Sequence, residues 1–239
     1  MDKPSPQQSH FGDPQLSWRE VISIYRNPRV IAMAFLGFSG GLPFLLVFST
    51  LSAWLREAEV SRSTIGFFAW VGITYSIKVF WAPVVDRLRL PVIGALGRRR
   101  SWILVAQVGI ALGLLGMSMI GAQDLLLLSV FAVLVAFSSA TQDIAIDAYR
   151  IEAVADRYQG AMSAAYIFGY RVALLVAGAG AFYLAEYLGW TLAYQVMAGL
   201  MLIGIITVLF IREPAASGMV EQIADDQIVR AYLAKRGYL

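Results

Sequence analysis

The chain has 239 residues, of which 59% are hydrophobic and 15% are charged. Because soluble domains carry about 25% charged residues, this composition is typical of a membrane protein. The net charge of +3 does not indicate a nucleic-acid partner, since the basic residues lie in short loops between apolar runs. There is no cysteine, and the only histidine, His10, lies in a polar segment, so thiolate chemistry and histidine-dependent sites within the spans are excluded. We expect neither an enzyme nor a cofactor or metal.

The N-terminal segment, residues 1–28, is predicted to remain on the cytoplasmic side of the membrane. Its first 15 residues are polar and contain three prolines, a composition typical of disorder. Ser17 and Glu20 then form a capping-box pattern before an apolar residue pair. This pattern predicts a short amphipathic helix, over residues 17–27, that lies on the membrane surface.

Six apolar runs follow, and together they predict an all-α membrane bundle over residues 29–212. Each run is near 20 residues long, as the hydrocarbon thickness of a bilayer requires. The runs cover approximately residues 30–55, 65–85, 102–120, 125–149, 161–183 and 190–211. Residues 213–239 form a polar tail, which we interpret as a cytoplasmic linker.

The distribution of basic residues predicts the orientation of the bundle. Of the 19 lysines and arginines, 15 lie in residues 1–29, the 86–100 loop, the 150–159 loop and residues 212–239. Cytoplasmic loops carry the excess of basic residues, so both termini are predicted to be cytoplasmic, with six crossings. G-F-S-G-G (37–41) also weakly resembles A-F-S-S-A (136–140), which favours a 3+3 inverted repeat of the kind found in transporter halves.

The fifth run carries a small residue at every fourth position. These residues are Ala161, Ala165, Gly169, Ala173, Ala177 and Ala181. In lipid, small residues allow helix backbones to approach closely, so the stripe predicts a helix-packing surface. We expect six short-looped helices to leave this face exposed unless a second bundle covers it.

Ionisable residues inside the spans are the candidate functional groups. Asp143, Asp147 and Arg150 fall within roughly 60° of one another on one helix face, and Gln142 precedes them. A charge in hydrocarbon costs several kcal/mol, so such residues normally face a partner or a water-filled cavity. Asp147 and Arg150 are also explained as a charge pair at the cytoplasmic interface. The greater depth of Asp143 favours a functional role for that residue.

Two buried cations are candidate partners for Asp143. Arg171 lies near mid-bilayer in the fifth run, and Lys78 lies at a depth close to that of Asp143. We hypothesise that Asp143 pairs with Lys78 or Arg171 in one state and exchanges that partner for a proton or substrate in another. A permanent structural bridge is the alternative, and Arg171 could instead anchor a substrate carboxylate.

Neither a phosphate-binding G-x-x-x-x-G-K-[ST] run nor a channel-type acidic ring is present. The combination of spans and intramembrane charges therefore predicts a secondary transporter, coupled to an ion gradient or facilitative. A non-transporting membrane interaction subunit is the competing interpretation from a different class.

The loop after the second run resembles the signature of the major facilitator superfamily, G-x-x-x-D-R-x-G-R-R. Asp86-Arg87 supplies its D-R, and Gly97-Arg98-Arg99 supplies its G-R-R. The loop departs from the signature in two ways: Ala82 replaces the leading glycine, and the loop is longer than the usual spacing of the superfamily. The wider pattern is similar to the AmpG muropeptide permeases, and T-Q-D-I-A-x-D is shared with acetyl-CoA transporters. The similar segments are G-F-S-G-G-L-P (37–43), A-W-L-R-E-A (53–58), K-V-F-W-A-P-V-V-D-R (78–87), S-A-T-Q-D-I-A-I-D-A-Y-R (139–150) and G-Y-R (169–171).

This resemblance implies a proton-coupled importer of anhydro-muropeptides in the bacterial inner membrane, which feeds peptidoglycan recycling and indirectly influences β-lactamase induction. A facilitator for another anionic solute, such as acetyl-CoA, is the alternative. The resemblance to the muropeptide permeases also implies that Arg171 or Lys78 binds substrate carboxylates. Trp54, Trp70, Tyr75 and Tyr149 are candidate platforms for its sugar rings.

Two further implications concern the loop and the length of the chain. Asp86, Arg87, Arg98 and Arg99 would form a conformational latch, unless the basic loop is only a topology signal. Since the family has a second bundle, the chain is expected to be an N-terminal half. Its partner would then be the missing C-terminal half or a second subunit.

Overall fold

The computed structural model describes residues 18–91, 93–154 and 156–214. The predicted disordered segment, residues 1–15, and most of the polar tail lie outside these residues. Within the described ranges, every regular element is a helix, as the composition and periodicity predict. The α-helices are α1 (Trp18–Tyr25), α2 (Pro28–Val47), α3 (Ser49–Glu57), α4 (Arg62–Phe68), α5 (Ile73–Ile77), α6 (Ala82–Arg87), α7 (Arg98–Ile120), α8 (Leu125–Ala153), α9 (Asp156–Leu175) and α10 (Ala181–Phe210).

Five helical stretches of the described chain are long and apolar enough to cross a membrane. They are Pro28–Glu57, Arg62–Phe80, Arg98–Gln123, Leu125–Ala153 and Tyr158–Phe210. The last stretch has 53 residues, about 80 Å of helix if straight, against a hydrocarbon core of about 30 Å.

Gly189 interrupts this long stretch. Its φ of 81° and ψ of 159° are non-helical, and a positive φ of this size favours glycine. Ala161 and Val208 pack in one core cluster, whereas Ala181 and Trp190 pack in another. The stretch therefore begins and ends at one end of the bundle and turns at the other.

The second predicted run is built from short pieces instead of one helix. Between α4 and α6, 3₁₀ segments at Ala69–Gly72 and Lys78–Phe80 flank α5, and Pro83 lies in the first turn of α6. Proline is tolerated there because the first-turn N–H has no helical partner. Only 11% of the most apolar 18 residues of the stretch Arg62–Phe80 are buried, so the rest of the bundle leaves most of this stretch uncovered.

The small-residue stripe runs along α9 to the start of α10, and its α9 part lies in a seam with α2. All six of its members are buried, which corrects the expectation that the stripe stays exposed without a second bundle. The seam is close because glycines face backbone on both sides: Gly169 lies against Ala34 and Gly37 against Tyr166. G-F-S-G-G and the stripe are therefore two halves of one packing surface.

The bundle has two distinct ends. The arginine-rich end, defined by Arg29, Arg99, Arg100 and Arg212, contains a core around Met33 and Tyr149. The larger core lies towards the opposite end, where Trp190 donates a hydrogen bond to Glu57 at 2.8 Å.

Candidate functional site

Lys78 and Asp143 form an ion pair between the second stretch and α8. The Lys78 Nζ and Asp143 Oδ2 are 3.9 Å apart, within ion-pair range but too long for a hydrogen bond. Asp143 lies ten residues before the end of α8, about 15 Å along the helix. The side chains are 35% and 23% exposed, so both charges lie at membrane depth yet reach the bundle surface. Asp143 Oδ1 has no hydrogen-bond partner among the described residues.

Three tyrosines surround this pair, and with it they form what we call the Asp143 cluster: Lys78, Asp143, Tyr75, Tyr166 and Tyr170. The three phenols lie within electrostatic range of Asp143. The rings of Tyr166 and Tyr170 lie one turn apart on α9, with centroids separated by 6.1 Å. Sequence analysis missed these two residues, although their spacing, directly before Arg171, places them on one helix face.

Arg171 does not reach Asp143. It is exposed and makes no hydrogen bond or ion pair with any described residue. Gly169 and Ala173, on either side of it, are buried against α2, so Arg171 projects from the opposite face of α9. It lies thirteen residues into the stretch that begins at Tyr158, about 20 Å along the helix. The structure thus contains a cation at membrane depth without an anionic partner in the described chain.

Asp147 and Arg150 form a separate pair nearer the arginine-rich end. Arg150 Nη2 lies 3.5 Å from Asp147 Oδ1, and Arg150 Nη1 donates a hydrogen bond of 2.9 Å to Ser163. Asp147 is 56% exposed, as an interfacial pair would be. Within the described ranges, no three histidine, aspartate or glutamate side chains lie together as metal ligands.

Gln142 points into the core instead of joining the Asp143 cluster. It is fully buried, with its Nε2 3.5 Å from the Ser39 hydroxyl, which also accepts a hydrogen bond of 3.1 Å from Gln107. The Oε1 atoms of both glutamines lack partners among the described side chains and backbone. Gln107 was missed in the sequence, although an amide within an apolar run is a recognisable signal.

At the arginine-rich end, Arg99 joins the ends of three helices. Its Nη1 binds Asp86 of α6 at 2.7 Å and its Nη2 binds Glu152 of α8 at 2.6 Å, while Arg98 approaches Glu152 at 3.5 Å. Arg99 is only 6% exposed, whereas the side chains of its partners Asp86 and Glu152 are 48 and 35% exposed, so the guanidinium is buried while the carboxylates reach solvent. Of the predicted latch residues, Arg87 stays outside, since it is exposed and makes no ion pair within the described part of the chain.

Glu213 supports the same end and was not predicted. Its two carboxylate oxygens accept hydrogen bonds from the backbone N–H groups of Arg99 and Arg100, at 2.8 and 3.1 Å. These N–H groups belong to the first turn of α7, which has no helical partners for them. Gly97, with a φ of 108°, makes the turn into this helix. The carboxylate thus fixes the exit of α10 against the start of α7.

The predicted sugar platforms divide into core and surface residues. Trp54 is 6% exposed and stacks on Trp190, and Tyr149 is fully buried and donates a hydrogen bond to the Arg212 carbonyl. These two residues are therefore structural, which corrects the prediction that they contact sugar. Trp70 is 67% exposed, and Tyr75 belongs to the Asp143 cluster.

Comparison with known proteins identifies the family. The Major Facilitator Superfamily model matches residues 77–231. An "Anhydromuropeptide permease" of Escherichia coli K12 is 36% identical over 213 residues, which cover 88% of this chain and 43% of the permease. A "Putative transporter AmpG 4" of Rickettsia conorii is 36% identical over 196 residues, covering 81% of this chain and 47% of that protein.

The chain spans about half the length of the curated relatives it matches. These relatives are named as a permease and a putative transporter. With its apolar helices and intramembrane charges, the chain belongs to the major facilitator superfamily.

Proposed function

We propose that the chain is the N-terminal bundle of a proton-coupled transporter that imports anhydro-muropeptides across the bacterial inner membrane. The observation that carries this proposal is a charged surface at membrane depth: the Lys78–Asp143 pair and the unpaired Arg171 lie on uncovered faces of neighbouring spans. Acyl chains facing these groups would cost several kcal/mol per charge, whereas a polar pathway beside a second bundle would solvate them. The similarity to a protein named anhydromuropeptide permease supports the substrate class.

The proposed topology has six crossings in a 3+3 inverted repeat, with both termini cytoplasmic. The turn at Gly189 supports it, because it divides the 53-residue stretch into two crossings of bilayer length. The contact between Ser39, in the first of the two similar segments, and Gln142, two residues beyond the second, is consistent with the repeat. The bundle would occupy residues 29–212, between a surface segment (1–28) and a linker (213–239).

The Asp143 cluster is the proposed coupling site. The carboxylate has one oxygen facing Lys78 and one without a partner, so it can accept a proton without first breaking a hydrogen bond. Protonation would remove its charge and free the Lys78 ammonium. Lys78 or Arg171 would then bind a peptide carboxylate of the substrate, which a guanidinium can hold through two parallel hydrogen bonds. The tyrosine rings offer faces for the sugar rings.

The Arg99 network is the proposed latch. It joins α6, α7 and α8 through two carboxylates, so its opening would let the ends of these helices separate. Asp86, Arg98 and Arg99 take part, and Arg87 is proposed to act on the loop surface.

Uptake of radiolabelled anhydro-muropeptide into vesicles from the source cells tests the proposal. We expect uptake that an inward proton gradient drives and an uncoupler abolishes. Asp143→Asn should abolish the dependence on the gradient, whereas Arg62→Gln, on the exposed opposite end, should change nothing.

Other outcomes separate the alternatives. Uptake that ignores both the gradient and Asp143→Asn would identify a facilitator, and transport of acetyl-CoA in place of muropeptide would identify a different substrate class. Co-purification with a membrane partner without any flux would favour a non-transporting subunit.

A further inference from the structure

A groove at the arginine-rich end lies outside the Asp143 cluster and has no role in the proposed transport mechanism. It runs between the start of α2 and the end of α10 and has a volume of about 690 Å³. Its apolar lining includes Ile31, Phe35 and Phe210, which are 46, 47 and 84% exposed. Since both helices belong to stretches long enough to cross a membrane, the groove opens sideways, towards the position of acyl chains.

Two arginines, Arg29 and Arg212, stand at one end of this groove. Each is exposed, and neither has a carboxylate within ion-pair distance in the described ranges. Arg29 donates one N–H to the Ala153 carbonyl, which fixes its guanidinium and leaves four of its five donors. The nearest acidic neighbour in sequence, Glu213, uses both oxygens to bind the first turn of α7. The two guanidinium groups at the mouth of the groove are therefore without a carboxylate partner in the described ranges.

We propose that this groove binds one anionic phospholipid, with its phosphate between Arg29 and Arg212 and an acyl chain along the apolar walls. Phe35 lies six residues beyond Arg29 on α2, about 9 Å along the helix, and the opposite wall, α10, ends at Phe210, two residues before Arg212. The charged end and the apolar end are thus separated by the distance that divides a lipid phosphate from its upper acyl chain.

The pattern of polar and apolar groups distinguishes this occupant from a soluble one. A soluble anion would satisfy the arginines but leave Ile31, Phe35 and Phe210 without a contact, and a zwitterionic lipid would fill the groove but bring its own cation to the arginines. An anionic phospholipid satisfies both parts. Juxtamembrane arginines attract such lipids with an energy equivalent to about fivefold in affinity for each residue.

Native mass spectrometry of the full chain in detergent tests the proposal. The protein is titrated with dioleoylphosphatidylglycerol and, separately, with dioleoylphosphatidylcholine, which has the same acyl chains. We expect one phosphatidylglycerol to bind about thirtyfold more tightly than phosphatidylcholine. Arg212→Gln should reduce this preference about fivefold, and Arg29→Gln/Arg212→Gln should remove it, whereas Arg62→Gln should preserve it.

A reduced lipid preference in Arg212→Gln would not result from misfolding, because the Arg212 side chain makes no hydrogen bond within the described part of the chain. Equal binding of the two lipids by the unsubstituted protein, or a preference that survives in the double variant, would overturn the proposal. Soluble glycerophosphoglycerol provides the last arm: if it competes as well as the lipid, the apolar groove contributes nothing and the site is an anion site alone.

Discussion

The Lys78–Asp143 pair makes a prediction that a double-mutant cycle can measure. At 3.9 Å, two unit charges interact by about 4 kcal/mol at an effective dielectric constant of about 20. Since the side chains are 35% and 23% exposed, solvent screening reduces this value, and we expect a coupling energy of about 1–2 kcal/mol. Asp143→Asn and Lys78→Met should each lower the free energy of unfolding, and the double variant should lose less than their sum.

The assay is reversible unfolding of the full chain in mixed micelles, followed by far-ultraviolet circular dichroism. Asp147 and Arg150 provide a matched control, because their charged atoms are a similar 3.5 Å apart but Asp147 is 56% exposed. Such a pair on one helix surface should couple by only about 0.5 kcal/mol. A coupling energy for Lys78 and Asp143 no larger than that of the control pair would refute the reasoning.

Three further predictions concern the packing of the bundle, and thermal unfolding checks each of them. Gly169→Ala should destabilise the protein by about 2 kcal/mol, because its Cβ would overlap a backbone carbonyl of α2, whereas Gly199→Ala, with open space around it, should be neutral or stabilising. Arg99→Gln should cost at least about 2 kcal/mol by leaving two carboxylates without their shared cation, and equal melting of Arg99→Gln and the exposed Arg87→Gln would contradict this. Glu213→Ala should cost about 1 kcal/mol through loss of the cap on α7, and an unchanged melting temperature would count against that role.

The sequence predicted the elements of the bundle better than their partners. The small-residue stripe shows why: a period of four residues identifies the face of a helix that packs closely, but it contains no information about the facing helix. The glycines of α2 were visible in the sequence, yet only the fold brings Gly37 and Gly169 into the same seam. The sequence alone therefore predicted that a second bundle is needed to cover the stripe, whereas α2 already packs against it.

For the charged groups, too, the sequence predicted positions along the helices better than interaction partners. Depth along a helix follows directly from residue count, and this placed Lys78 level with Asp143, which the structure brings within 3.9 Å. The mid-bilayer depth of Arg171 stays a prediction, and its direction depends on which face of α9 the seam occupies. Glu152 and Glu213 lie near span ends, where a carboxylate is unremarkable, and their contacts with the first turn of α7 depend on tertiary packing.

Cysteine accessibility at position 171 most directly tests whether the intramembrane charges face a solute pathway. The 239 residues contain no cysteine, so Arg171→Cys adds a thiol whose labelling by a membrane-impermeant, water-dependent reagent in source-cell membranes is read against that of the unsubstituted protein. We predict rapid labelling that anhydro-muropeptide slows, and little labelling of Phe210→Cys, an apolar position that is 84% exposed. Labelling of position 171 as slow as that of position 210, with no protection by the muropeptide, would show that Arg171 faces acyl chains and would contradict the transport proposal.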